Sequence, residues 1–154
     1  MSGIYKIATL NINCIVSPLR IAMLEDFLRT QEIDFLFLQE VTKPVFDNLR
    51  GYTAYTNVGT TRRGTAILAR EHLTLTRTIS LPSGRGIAAT FQGVSLVNIY
   101  APSGLEKRRE REEFFNLELP YLFNDTPTKV IMGVTSIASS HKQTSRAASI
   151  SAVP

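Results

Sequence analysis

The spacing of apolar and polar positions divides the first forty residues into strand, helix and strand. Residues 5–12, YKIATLNI, alternate as a half-buried strand does. Ser17 and Pro18 are typical of an N-cap followed by proline at the first helical position, so a helix is predicted from there to about Gln31. Residues 33–40, IDFLFLQE, are apolar on both faces, which predicts a central strand covered on both sides.

The pattern then changes to short strands, after a short helix predicted over 44–49. Glycines and a proline at the breaks between these strands are typical turn residues. A helix follows over 105–119, ending before Pro120, and a last strand over 128–132. The strands of this middle region are predicted at 53–57, 64–69, 73–79, 86–91 and 94–100. This order favours a mixed α/β (α+β) fold of two packed sheets with helices outside.

The predicted helix 105–119 carries a dense charge run, LEKRREREE. Acidic and basic residues mixed at short spacing are typical of a solvated helix face. Contact of Arg108, Arg109 and Arg111 with nucleic acid is the alternative interpretation.

Composition narrows the class of protein without fixing a function. The chain has 154 residues, 44% hydrophobic and 19% charged, which fits one globular domain. It shows neither a signal peptide nor an apolar run near the ~20 residues of a membrane span, so no membrane partner is expected. The lone Cys14 fits a reducing compartment, and an intracellular location, nucleus or cytoplasm, is expected. No obligate protein partner is inferred.

The charge balance is mildly basic. The net charge is +4, and residues 1–133 contain 15 basic and 13 acidic residues, a net +2. This balance permits DNA as a partner without demonstrating it.

Polar residues interrupt three good strands near their ends. Asn11 and Asn13 lie one residue apart, Glu40 directly follows a buried strand, and Asn98 and Tyr100 lie on one side of a strand that stops at a proline. Each has an ordinary interpretation: a strand turning into a loop, a solvated carboxylate, or a structural tyrosine. A single well-held carboxylate is also sufficient protein ligation for Mg²⁺, which keeps waters and phosphate oxygens as its other ligands.

Four segments in succession resemble the motifs of the endonuclease/exonuclease/phosphatase superfamily. They are IATLNIN, DFLFLQEV, RRGTAILAR and VNIYAPSG, within residues 4–133. The chain looks most similar to the apurinic-type endonuclease domain of non-LTR (LINE-type) retrotransposons. The resemblance implies a four-layer sandwich, two mixed sheets with helices outside, and a cleft where Mg²⁺ (or Mn²⁺) assists cleavage of a DNA phosphodiester.

The resemblance also implies site residues. Asn11 matches the family's active-site asparagine, Glu40 its metal-binding glutamate, and Tyr100 the tyrosine that contacts the phosphate. Asn13 and Asn98 are expected at the phosphate or substrate. Ser103 stands where many relatives have asparagine, so its expected substrate contact is a departure from the pattern.

The chain departs from the family after Gly133. Relatives continue with Gly-Asp-Phe-Asn, whose aspartate and asparagine orient and deprotonate the attacking water, and later with a Ser-Asp-His segment. This chain instead has Val134-Thr135-Ser136-Ile137-Ala138, and no acidic residue follows Asp125. His141 follows two serines and has no acidic neighbour, so it is not expected to replace the family's histidine.

The genetic code connects the two versions. If Gly133 to Ala138 are encoded GGG GTG ACT TCA ATT GCN, a shifted frame contains GGT GAC TTC AAT TGC, or Gly-Asp-Phe-Asn-Cys. We therefore hypothesise that the reading frame is lost near Gly133. Residues 134–154 would then be an out-of-frame, disordered tail, consistent with six serines and no acidic or aromatic residue. A genuine divergent tail is the alternative.

A frame loss would leave the domain incomplete, without its C-terminal strands. Residues 1–133 would form its N-terminal part, open to self-association through exposed sheet edges, and catalysis would be lost. Two alternatives to an inactive nicking endonuclease stay open. One is a non-enzymatic DNA-binding remnant. The other is a superfamily phosphoesterase acting on RNA, inositol phosphates or sphingomyelin.

Overall fold

A computed structural model describes residues 3–14, 17–42, 49–60, 63–124 and 129–136. The strands are β1 (Ile7–Asn11), β2 (Phe35–Val41), β3 (Tyr52–Asn57), β4 (Gly64–Arg70), β5 (Thr76–Ser80), β6 (Gly86–Phe91), β7 (Val94–Ala101) and β8 (Lys129–Ser136). Helix α1 spans Pro18–Thr30. A second helical segment joins a 3₁₀ turn (Leu105–Lys107), α2 (Arg108–Glu113), a π-helical turn (Phe114–Glu118) and a 3₁₀ turn (Leu119–Phe123).

The eight strands form two mixed sheets of four. The first sheet has the order β1-β2-β4-β3, with β1 parallel to β2 and the other pairs antiparallel. The second has the order β5-β6-β7-β8, with β8 parallel to β7. The predicted pair of mixed sheets is confirmed. The adjacent parallel strands β1 and β2 end together, which brings Asn11 beside Gln39 and Glu40.

Three apolar clusters separate four layers. Leu24 and Leu28 of α1 pack on one face of the first sheet. Phe35, Phe37 and Phe91 lie in the cluster between the two sheets. The outer face of the second sheet is covered by the second helical segment, through Phe114 and Leu122 among others. These layers confirm the predicted sandwich with helices outside.

Helix α1 begins where the sequence predicts. The Ser17 side-chain oxygen accepts a hydrogen bond from the Arg20 amide, and Pro18 occupies the first turn, where its missing N–H has no consequence. Leu19 and Met23 lie on the exposed side of the helix, so its apolar residues extend beyond the face that packs on the sheet.

Three predicted boundaries were wrong. Strand β5 begins at Thr76 rather than at residue 73, since a turn from Arg70 directs Leu73 into the core. The second helical segment continues through Pro120 to Phe123, because the proline lies in the first turn of a new 3₁₀ segment. Strand β8 continues to Ser136, four residues past the predicted strand end at residue 132.

Other predictions fall outside the described residues. The helix predicted over 44–49 is described only at its last residue, Leu49, which is buried. Residues 137–154, including His141, are likewise not described. In the described part of the chain, no helix has both the length and the apolar content to cross a membrane.

Candidate active site

Glu40 is aimed by a β-bulge in β2. The pairing of β2 with β4 shifts register between Gln39 and Val41, so Glu40 is the extra residue, and its φ of 59° lies in the left-handed region. Val41 packs with the helix-side cluster, the face that strict alternation would assign to residue 40. A non-glycine residue in this conformation stores local strain, which is found most often at functional sites.

The Glu40 carboxylate is buried and held from two sides. Its side chain is 1% exposed. Asn11 Nδ2 donates to Oε1 at 3.0 Å, and Arg63 Nη1 donates to Oε2 at 2.9 Å. These contacts fix the carboxylate of β2 between β1 and the loop that precedes β4.

Asn13 lies just outside this contact. It is exposed, has a φ of 46°, and its backbone N–H donates to Asn11 Oδ1 at 2.9 Å. The turn therefore fixes the Asn11 amide so that its nitrogen faces Glu40. The backbone of this turn is also held by Glu40, whose carbonyl accepts from the Cys14 amide at 3.0 Å.

Tyr100, in β7, is the residue that the second sheet contributes to the site. Its phenol is half-buried and lies near the charged side chains of Glu40 and Arg63. Burial raises the pKa of Tyr100, and the nearby Glu40 charge raises it further, so the phenol stays protonated at neutral pH. The Glu40 charge also raises the pKa of Arg63. The structure thus places Asn11, Glu40 and Tyr100 together, joined by Arg63.

Arg85 lies against the ring of Tyr100. Its guanidinium carbon is 5.5 Å from the ring centroid, and Arg85 Nη2 is 3.3 Å from the Glu110 carboxylate. The Tyr100 N–H donates to the Arg85 carbonyl at 2.8 Å. Ser103 lies in the loop after β7 and is partly exposed, and its substrate contact stays a prediction.

Asn98 lies elsewhere than predicted. Its side chain is 0% exposed, and Nδ2 donates to the carbonyls of Leu38 and Ala66, both at 2.8 Å. Its Oδ1 accepts from Gln39 Nε2 at 2.7 Å. A side chain with no exposed surface has no atom available to a phosphate, so the substrate-binding prediction for Asn98 is not retained. It links the two sheets beneath Glu40 and Tyr100.

The β3–β4 loop, which carries Arg63, packs closely against the β5–β6 loop. A Cβ on Gly59, in the β3–β4 loop, would lie 2.1 Å from the Gly84 nitrogen in the β5–β6 loop. Thr60 N donates to the Pro82 carbonyl at 2.9 Å, and Thr65 Oγ1 donates to the Gly84 carbonyl at 3.1 Å. The Arg63 loop is therefore anchored to the second sheet, which carries Tyr100.

Gly84→Ala is expected to destabilise the fold through this contact. The added Cβ would lie 2.5 Å from the Val58 carbonyl, and the φ of +82° disfavours any L side chain, so we expect a loss of about 2–4 kcal/mol. Gly93→Ala is the matched control, because its φ is +77° with nothing within 4 Å, and it should lose only about 1 kcal/mol. Urea unfolding measures both, and equal losses would contradict the close approach.

The donor set fits a divalent cation only as a partial site. Among the described residues there is no group of three or more histidine, cysteine, aspartate or glutamate side chains that could hold a metal. Glu40 supplies one carboxylate, the minimum for Mg²⁺ when waters and phosphate oxygens complete the coordination. Its oxygens already accept from Asn11 and Arg63.

Arg63, Arg85 and Gln39 have site roles that the sequence did not reveal. Arg63 belongs to the RRGTAILAR motif, but an arginine in a glycine-containing loop cannot be distinguished by pattern from a solvated one. Gln39 precedes Glu40 in the strand, and its burial follows from the two-sided apolar run before it. The bulge that turns Glu40 away from the helix-side face has no signal in the sequence.

Neither a scan against protein-family models nor a search of curated proteins gives a match. Solved structures do match. The 3'-5' exonuclease from Neisseria meningitidis is 24% identical with a TM-score of 0.68, and the match covers 84% of this chain and 56% of the exonuclease chain. An AP endonuclease from Archaeoglobus fulgidus is 23% identical with a TM-score of 0.59, and the match covers 78% of this chain and 50% of the endonuclease chain. A humanized D. rerio TDP2 is 17% identical with a TM-score of 0.63, and the match covers 86% of this chain and 61% of the TDP2 chain.

Two related structures contain DNA: the Neisseria enzyme, there called a 3' phosphatase, with a product DNA hairpin, and D. rerio TDP2 with a single-strand DNA product. The chain spans 50% to 61% of the length of the three structures compared above. These likenesses confirm the fold expected from the endonuclease/exonuclease/phosphatase resemblance, which is the fold of these DNA-processing enzymes.

Proposed function

We propose that residues 1–133 form the N-terminal part of a divalent-metal-dependent DNA phosphodiesterase, a nicking endonuclease of the non-LTR retrotransposon type. We propose further that this chain binds a DNA phosphate but hydrolyses it very slowly. The observation that carries the proposal is the convergence of Asn11, Glu40 and Tyr100. They come from three strands in two sheets and meet around one buried carboxylate.

The site residues suit a phosphate and its metal. Glu40 would hold Mg²⁺ or Mn²⁺, which when bound neutralises charge on phosphoryl oxygens. Tyr100, whose phenol is protonated at neutral pH, can donate a hydrogen bond to a phosphoryl oxygen. Asn11 holds the Glu40 carboxylate in place, and the exposed Asn13 lies at the mouth of the site. Arg63 adds a half-exposed cation beside them.

Slow hydrolysis follows from the missing water-activating residues. No acidic residue follows Asp125, so the segment after Gly133 offers no carboxylate to deprotonate an attacking water. Losing general-base assistance typically reduces a rate by ~10²–10⁴. The non-enzymatic alternative, a DNA-binding remnant, is favoured by one observation: Glu40 is already neutralised by Arg63. Plasmid nicking in Mg²⁺, compared with chelator, separates the two.

Tyr100→Phe is expected to weaken DNA binding about tenfold, because a hydrogen bond to a charged group contributes roughly 1.5–3 kcal/mol. Fluorescence anisotropy with a labelled duplex at fixed salt measures the change. Tyr121→Phe is the matched control, since this tyrosine is 64% exposed on the second helical segment, and it should leave the affinity unchanged.

Either of two results would contradict the proposal. One is equal affinity of wild type and Tyr100→Phe for DNA. The other is binding that shows no dependence on salt, since contacts to phosphates release counterions and weaken as salt rises.

A further inference from the structure

Arg63 occupies one of the two carboxylate oxygens of Glu40, the residue proposed to hold the metal. Arg63 Nη1 lies 2.9 Å from Glu40 Oε2, and the side chains are 47% and 1% exposed. The other carboxylate oxygen accepts from the neutral Asn11 amide. The buried negative charge of Glu40 therefore has a cation supplied by the chain itself.

The charge balance makes this pairing consequential. No second carboxylate contacts Glu40 among the hydrogen bonds and ion pairs of the described residues. A divalent cation brought to the same carboxylate would share one negative charge with a guanidinium a few ångströms away. Two cations at such distances repel each other more strongly in a protein than in water, because the effective dielectric constant is lower.

The Arg63 guanidinium has a second group to bind once it leaves Glu40. Its side chain is half-exposed and its loop is anchored through Gly59 and Gly84, so we expect the guanidinium to move away from Glu40 while the loop stays in place. Tyr100, whose phenol lies near Arg63, is the residue proposed to contact the phosphate. A released guanidinium beside this phenol is well placed for a phosphate oxygen, which arginine binds with charge-assisted hydrogen bonds.

We propose that Arg63 is the resident counter-cation of Glu40: it neutralises the carboxylate in the metal-free chain, must leave before Glu40 can bind a divalent cation, and then binds phosphate. This inference rests on the proposed function for the identity of the phosphate as DNA. The competition between Arg63 and a divalent cation is testable without DNA.

The test is Mn²⁺ binding to the full chain without DNA, measured from the electron paramagnetic resonance of free Mn²⁺. Arg63→Gln should bind Mn²⁺ about tenfold more tightly than wild type, the effect expected when one adjacent charge is removed. Arg63→Lys keeps the charge and should bind more weakly than Arg63→Gln. Arg29→Gln, which removes an exposed charge from α1, should match wild type.

The double variant Arg63→Gln with Glu40→Gln should lose the gain, since Glu40 is its source. Circular dichroism melting shows that each variant is folded before binding is measured. If Arg63→Gln binds Mn²⁺ no more tightly than wild type, or if neither binds it, the proposal is wrong. DNA binding or nicking can fail without changing this result, so the two proposals fail separately.

Discussion

Asn98→Ala is expected to destabilise the fold by about 2–4 kcal/mol, one of the largest effects of any polar substitution in this chain. The substitution removes two bonds that Nδ2 donates to the carbonyls of Leu38 and Ala66, and one that Oδ1 accepts from Gln39. Because Asn98 is 0% exposed, water cannot replace them without entering the space between the sheets. Urea unfolding, followed by circular dichroism because the chain has no tryptophan, measures the loss.

The controls separate the inter-sheet network from a general effect of losing an asparagine. Asn116→Ala changes an exposed asparagine and should shift the midpoint little. The double variant Gln39→Ala with Asn98→Ala should lose less than the sum of the single losses, since the two side chains share a bond. Strict additivity would show that the network does not act as a unit.

Much of the fold could be predicted because its signals are local. The cap at Ser17 and Pro18 and the two-sided apolar run of β2 follow from helix-end chemistry and from burial on both faces. The second helical segment shows the limit. Pro120 was predicted to end it, but proline is tolerated where a 3₁₀ turn begins, and the preceding π-helical turn had no pattern to reveal it.

The site is predictable in part for a similar reason. Asn11, Glu40 and Tyr100 stand in recognisable motifs, and their strands bring them together. Asn98 stands in the same motif as Tyr100, yet its side chain is buried between the sheets and binds carbonyls of the first sheet. The Glu40–Arg63 pair depends on a bulge and a loop that only the assembled sheets define.

Restoring the family's Gly-Asp-Phe-Asn is expected to raise Mg²⁺-dependent plasmid nicking by at least about 10²-fold. The variant combines Val134→Gly, Thr135→Asp, Ser136→Phe and Ile137→Asn. The register of β8 pairs Gly133 with Asn98 and Thr135 with Tyr100. Position 135 thus lies next to Tyr100 in the sheet, so a carboxylate placed there would be near the proposed phosphate.

Strand periodicity supports this alignment. Val130, Met132 and Val134 are 41–48% exposed, and Gly133 approaches Phe37 in the core between the sheets. The frame-loss hypothesis independently predicts that the encoding DNA reads GGTGACTTCAAT across this point, which sequencing of genome and transcript checks.

A second version of the restored chain, carrying Thr135→Asn in place of Thr135→Asp, isolates the carboxylate. It keeps a polar side chain of similar size but cannot accept a proton from water, so its nicking should stay at the level of the unmodified chain. Both versions should bind DNA equally. If they nick equally, or if the carboxylate version gains nothing while folded and DNA-bound, position 135 is not where the family's base belongs. A gain confined to the carboxylate version would mean that the first half of the site is already assembled in this chain.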